Sequence, residues 1–229
     1  MTVGAQDVPT ASFGIVAGHN PSVGHGAFER PILDALAKCS CKFMFRDTAG
    51  QHQEIQLGHG LRKIARRGTY CSMHLESENK ELAAGLSPTG LESAQIDRIN
   101  LYISPPRSGA PLHFDTRWII VVQLSGSKLW QVGPGPAVVK PMCNVLANEG
   151  KGLAHHNGED LALPDKMRFV LLQAGDWLMV PWGTWHGTYS HNGSVSATLA
   201  FADDVQPELP PDFTVGNAIH ITEGPRLLC

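Results

Sequence analysis

Charge is scarce in this sequence. Asp, Glu, Lys and Arg make up 17% of its 229 residues, and the formal net charge is −3. That balance excludes the basic field with which nucleic-acid-binding proteins hold a phosphate backbone. Long apolar runs are missing too: none approaches the ~20 residues of a membrane-spanning helix. The first residues, Met1-Thr-Val-Gly-Ala-Gln-Asp7, offer neither a basic start nor an apolar stretch, so no secretory signal peptide is expected. Cysteine is sparse, scattered and odd in number, at five. Reduced thiols in the cytoplasm account for that better than a disulfide framework. Cys39-Ser-Cys41 is a close pair, but no second Cys or His pair stands near it at zinc-site spacing. Repeats and low-complexity segments are absent as well.

What is present suits one domain, or one domain with an annex, and 42% hydrophobic residues supply its core. Residues 1–30 place Gly14, Gly18, Pro21, Gly24 and Gly26 close together and read as a loop or arm. Short helices are expected at 31–38, behind Pro31, and at 76–86; strands are expected at 41–46 and 70–75. At 60–67, Leu61 and Ile64 share a helical face beside four basic residues, which reads as a solvated amphipathic helix.

From Asn100 the texture changes. Apolar runs at 101–104, 112–115, 118–124, 128–132, 169–173, 177–181, 185–190 and 195–201 are separated by Pro, Gly and Ser. Eight short strands with turns predict a mainly β sandwich or barrel. The break at 133–166 is too long for an ordinary connection and is expected to be a functional loop. His155 and His156 within it are expected to face solvent.

Side chains on a strand alternate between faces. In Leu112-His-Phe-Asp115, His113 and Asp115 therefore point one way and Phe114 the other. A histidine and a carboxylate side by side are two thirds of the 2-His-1-carboxylate triad that holds non-haem Fe(II). Polar faces recur on other strands: Asn100, Tyr102 and Ser104; Thr184, His186, Thr188 and Ser190; Ser194, Ser196, Thr198 and Ala200. A core that only packed would not line one face with polar groups, because burying them unpaired costs free energy. Either those faces meet solvent or they line a polar pocket; the His113/Asp115 pair favours the pocket, and beside that pair His186 is the third-ligand candidate.

At this point the sequence resembles a known family, the JmjC/cupin-like Fe(II)- and 2-oxoglutarate-dependent oxygenases, above all the branch containing the ribosomal-protein hydroxylases. The likeness runs over about 60–202. It rests on Asn100-Leu-Tyr-Ile-Ser-Pro-Pro106, Pro111-Leu-His-Phe-Asp115, Gln123-Leu-Ser-Gly-Ser-Lys-Leu-Trp130 and Gly175-Asp-Trp-Leu-Met-Val-Pro-Trp-Gly-Thr-Trp-His186. The resemblance implies a double-stranded β-helix, a jelly-roll barrel with N-terminal helices packed outside. It implies an arm and annex at 1–59, the barrel at 60–205 and a tail at 206–229. It implies Fe(II) held by His113, Asp115 and His186, with 2-oxoglutarate as cosubstrate and O2 as oxidant. By the family's spacing Lys128, 15 residues after His113 (128 − 113), binds the distal carboxylate of 2-oxoglutarate; without the resemblance it reads as a hairpin-turn lysine. Asn100 is the implied cosubstrate contact, Tyr102 lines the pocket, and Thr198 supplies a hydroxyl, with Ala200 as the other candidate for that position.

Three departures stand out. The branch continues into dimerising helices and a winged-helix-like module; with 28 residues (229 − 201) after the last strand, this chain is expected to lack them. The link between Pro106 and His113 is one residue shorter than expected. Thr116-Arg-Trp118 replaces acidic residues, so Arg117 and Trp118 become candidates for choosing the substrate at the pocket mouth, with Trp118 as core residue the bland alternative. Trp177, Trp182 and Trp185 pack the barrel end or mark the interface of a homodimer.

The expected activity is an oxygenase that hydroxylates a C–H of an amino-acid side chain in a protein, peptide or small-molecule substrate, releasing succinate and CO2. The rivals are a non-catalytic cupin-like binding or sensor protein, and a metal-dependent cupin enzyme that does not use 2-oxoglutarate. Lys128 and Asn100 speak against the last.

Overall fold

Proline, glycine and serine cut the chain into short apolar runs, and β-branched and aromatic residues make those runs strands. The computed structural model describes residues 95–148 and 152–207 in full, and the backbone of five further strands. In order the strands are β1 (Ser12–Ile15), β2 (Lys42–Arg46), β3 (His52–Gln56), β4 (Cys71–Leu75), β5 (Ile96–Ser104), β6 (His113–Phe114), β7 (Ile119–Pro136) and β8 (Val145–Leu146). There follow β9 (Leu153–His156), β10 (Glu159–Ala162), β11 (Lys166–Gln173), β12 (Asp176–Val180), β13 (Thr184–Tyr189), β14 (Ser194–Phe201) and β15 (Ile221–Pro225). The helices expected at 31–38, 60–67 and 76–86, and the Cys39/Cys41 pair, lie outside the described residues.

All pairings are antiparallel, and thirteen strands join in one curled sheet. β7 is the reason it curls. Its first half pairs with β12 and β14, and its second half with β11 and β13. Two separate strands were expected here, at 118–124 and 128–132, with a turn between them. The structure has one 18-residue strand instead. The expected turn is a bulge: Val195 faces Ser125 while the next residue, Ser196, faces Gln123, so β7 carries one extra residue. Gly126 follows at φ 66, where a Cβ would come within 2.5 Å of the Gly193 carbonyl oxygen. The extra residue shifts the alternation. Ile119 and Val121 share a core cluster with Trp130 and Val132, which an unbroken period of two would put on opposite faces.

One further expectation changes. The 133–166 break is not a bare loop: β8, β9 and β10 lie in it, and Val145, Ala154 and Leu163 pack with Leu112, Phe114, Met167 and Trp185. The break therefore covers the outer face of β6, onto which Phe114 points. The arm contributes β1, which pairs with β12 from Ser12↔Met179 to Ile15↔Asp176. The tail contributes β15, which pairs with β11. Trp177, Trp182 and Trp185 are buried within the chain, which favours packing over an interface.

Candidate metal centre

The centre begins on β6, two residues wedged between β13 and β8. His113 is cross-strand partner to His186 on one side and to Leu146 on the other. Opposed residues on paired strands bring side chains together, and the two imidazole centroids are 4.3 Å apart. Asp115 lies one residue past β6, its carbonyl accepting the Gly183 N–H at 2.8 Å. Its carboxylate oxygens stand 3.9 Å from His113 Nε2 and 3.5 Å from His186 Nε2. All three ligand atoms fall within 4.8 Å of one another, and among the described residues no other three such groups converge.

Each imidazole is set by the same local device. His113 Nδ1 donates to the Pro111 carbonyl at 2.8 Å, and His186 Nδ1 to the Thr184 carbonyl at 2.9 Å. A carbonyl only accepts, so the hydrogen sits on Nδ1 and each Nε2 turns a lone pair toward Asp115. That is the tautomer a metal ligand needs. Trp130 stacks on His186, centroids 5.9 Å apart. Burial, and then the neighbouring His186, pushes His113 down to about 4. Burial alone would raise Asp115, but the neighbouring His186, and then His113, outweigh it and hold the carboxyl below its usual range. Neutral His113 beside ionised Asp115 is a donor set for a divalent cation.

The same pocket reaches Lys128. Its side chain is fully buried, and its Nζ donates to Ser196 Oγ at 2.9 Å. Among the described residues no carboxylate pairs with it. Burial pushes its ammonium down to about 7, the response of a cation held away from water without a counter-charge. Between the triad and Lys128 the walls are Tyr102, Ala110, Ile119, Trp130, Thr188, Ser196 and Thr198. Thr188 Oγ1 accepts the Ala110 N–H at 2.9 Å and pins the chain that follows Pro105 and Pro106. The Tyr102 phenol is pushed up, first by burial and then by Asp115, so it keeps its proton.

Most of the residues named from sequence meet here. His113, Asp115, His186, Lys128, Tyr102 and Thr198 all face one pocket. Asn100 stands behind it, hydrogen-bonded to Tyr102. Ala200 belongs to the core cluster, and Thr198 lines the pocket. Ser196 was legible as a member of the polar face of its strand, but its bond to Lys128 was not. Arg117 does not line the pocket: its guanidinium pairs with Asp97 and, at 2.6 Å, with Asp203. Trp118 is core, edge-on to Trp182 with centroids 5.8 Å apart. His155 faces solvent as expected, but His156 is buried.

Comparison with known proteins follows the same outline. The family model described as the JmjC domain matches residues 88–209, a span that holds every residue of the pocket. No curated protein matches the sequence. A structure of YcfD, a ribosomal oxygenase from Escherichia coli, in complex with cobalt and 2-oxoglutarate is similar in fold, with a TM-score of 0.52 at 16% identity. The likeness covers 84% of this chain and 48% of that one. A second X-ray structure of the E. coli protein has a TM-score of 0.53 at 18% identity, over 84% and 49% of the two chains. This chain thus spans about half the length of the proteins it resembles.

Proposed function

This chain belongs to the JmjC-domain family, and we propose that it is an Fe(II)- and 2-oxoglutarate-dependent oxygenase that hydroxylates a C–H of an amino-acid side chain. One observation carries the reading. A buried ammonium with no carboxylate partner among the described residues, Lys128, shares a pocket with three converging metal-donor groups, His113, Asp115 and His186. A dicarboxylate that spans the two satisfies both. The YcfD structure holds cobalt and 2-oxoglutarate, which supports the same pair of ligands here. Its description as a ribosomal oxygenase supports a protein or peptide substrate over a small molecule. The curled sheet is read as the double-stranded β-helix of the family.

The roles follow from position. His113, Asp115 and His186 would hold the ion, with the Nδ1–H bonds of the two histidines fixing their rings beforehand. Lys128 takes the distal carboxylate of the cosubstrate, and Ser196 keeps its Nζ aimed. Tyr102 and Thr198 offer hydroxyls on the way, and Asn100 orients Tyr102. Trp130 and Ile119 are apolar walls that limit water around the reacting atoms. When bound, Fe(II) with 2-oxoglutarate and O2 supplies the oxidising power, and 2-oxoglutarate leaves as succinate and CO2.

The test is direct. Anaerobically purified protein receives Fe(II), 2-oxoglutarate and ascorbate, then O2, and succinate is measured. Slow succinate formation without substrate is expected, abolished in His113→Ala. Absence of both succinate and 2-oxoglutarate binding, with the same metal content in His113→Ala as in the native protein, would overturn the reading.

A further inference from the structure

The segment that leads into β8 carries a thiol for which the proposed reaction has no use. Cys143 is exposed, and its Sγ lies 3.7 Å from Nδ1 of His156 at the end of β9. His156 itself is only 6% exposed. Its ring meets Phe114 edge-on at 5.7 Å, and its Nε2 is buried with no partner among the described residues. Leaving one nitrogen of a buried imidazole unsatisfied costs free energy. The remaining nitrogen has one polar contact among those residues, and that contact is the thiol. Neighbouring His155 takes no part; it pairs with Asp160 at 3.1 Å.

We infer that Cys143 and His156 form a nucleophilic pair, and that Cys143 is a site of S-thiolation by small-molecule disulfides. His156 Nδ1 takes the S–H proton. The thiolate attacks one sulfur of the disulfide, a new S–S bond forms to Cys143, and the old S–S bond breaks. The leaving sulfur keeps the electron pair and receives the proton from His156. Cys143 is oxidised to a mixed disulfide, and half of the small disulfide is reduced to a thiol.

The position gives the modification a consequence. Asn144, the next residue, accepts the Thr116 N–H on its Oδ1 at 2.9 Å, and Thr116 follows Asp115. Val145 and Leu146 pair with Phe114 and His113, and the Ala147 N–H donates to the Leu112 carbonyl. Residues 144–147 thus hold the strand that presents two of the three metal donors. A group attached at Cys143 pulls on that hold and loosens Asp115. This coupling rests on the metal centre proposed above, whereas the reactivity of the thiol does not.

The experiment separates the two. Metal-free protein is treated with an aromatic disulfide whose released thiolate absorbs visible light, and the label is located by peptide mass mapping. Cys143 is expected to react first of the five cysteines. His156→Phe and His156→Gln should each slow it by about tenfold or more, with circular dichroism confirming that both fold. Mn(II) alone is then titrated into native, thiolated and Cys143→Ser protein. Thiolation should weaken Mn(II) binding by about tenfold, reversibly on adding dithiothreitol, and Cys143→Ser should bind as native does with or without the disulfide. Labelling at Cys143 no faster than elsewhere, or indifferent to His156, overturns the pair. Unchanged Mn(II) affinity after thiolation overturns the coupling. Native protein that binds no Mn(II) overturns the metal centre, and the coupling with it, while fast labelling would still establish the pair.

Discussion

His186 sits directly across the strand pair from His113, and each gives its Nδ1 hydrogen to the carbonyl two residues before it. The same short bond, made twice, turns both Nε2 atoms toward Asp115 without help from distant parts of the chain. Such a site is organised before its ion arrives. Adding Mn(II) at about a hundred times its dissociation constant should stabilise the fold by about 3 kcal/mol. For a chain of this size that is a rise in Tm of about 5–10 °C. A thermal melt with and without a chelator checks it, and His113→Ala or His186→Ala should abolish the rise.

Lys128 offers a pH test with a definite sign. Burial holds its ammonium down to about 7, so above that pH the free protein carries a neutral amine. Binding a dicarboxylate favours the charged form and must take up a proton. Affinity for 2-oxoglutarate should therefore fall as pH rises from 7 to 9, approaching tenfold per unit. Calorimetry at pH 8 in two buffers of different ionisation heat should show proton uptake in the native protein and none in Lys128→Met. That variant should also bind about a hundredfold more weakly at pH 7, a loss of about 3 kcal/mol.

Gly183 is tied to Asp115 by its N–H, while its own carbonyl accepts the Ala137 N–H. It sits at φ 62, and a Cβ there would lie 1.8 Å from the Val138 carbonyl oxygen. Gly183→Ala should cost about 2–4 kcal/mol, read from urea unfolding. It should also weaken Mn(II) binding, because the turn that moves is the one holding Asp115. Unfolding and metal affinity that both match the native protein would contradict this account of the turn.

Phe114 is fully buried between Trp185 and His156, on the face of β6 opposite the metal donors. Phe114→Ala should cost about 3–5 kcal/mol. Because the 133–166 segment packs on this ring, hydrogen exchange in β8 and β9 should speed up before exchange in β14.

What the sequence made legible follows from range. His113, Phe114 and Asp115 could be placed because a period of two is local, and the structure puts Phe114 in one cluster and its neighbours in the pocket. The polar faces of β13 and β14 were readable for the same reason. Lys128 was not readable from pattern: the bulge before Gly126 reverses which residues of β7 face inward, and a bulge depends on its partner strand. Arg117 was misplaced because its partners, Asp97 and Asp203, lie far from it in sequence. His156 was misread because a stretch rich in Gly, Pro and Asn hides two-to-four-residue strands whose burial comes from the ring of Phe114.

The outermost pairings have a practical consequence. The residues matched by the family model, 88–209, include β5, β11 and β12 but not β4, β15 and β1, which lie against them. A protein trimmed to those limits would keep the whole pocket and yet bare three strand edges, each a row of unpaired N–H and C=O groups ready to recruit another chain. Light scattering should find the trimmed protein self-associating at concentrations where the full chain does not, which makes the folding unit larger than the domain that sequence comparison outlines.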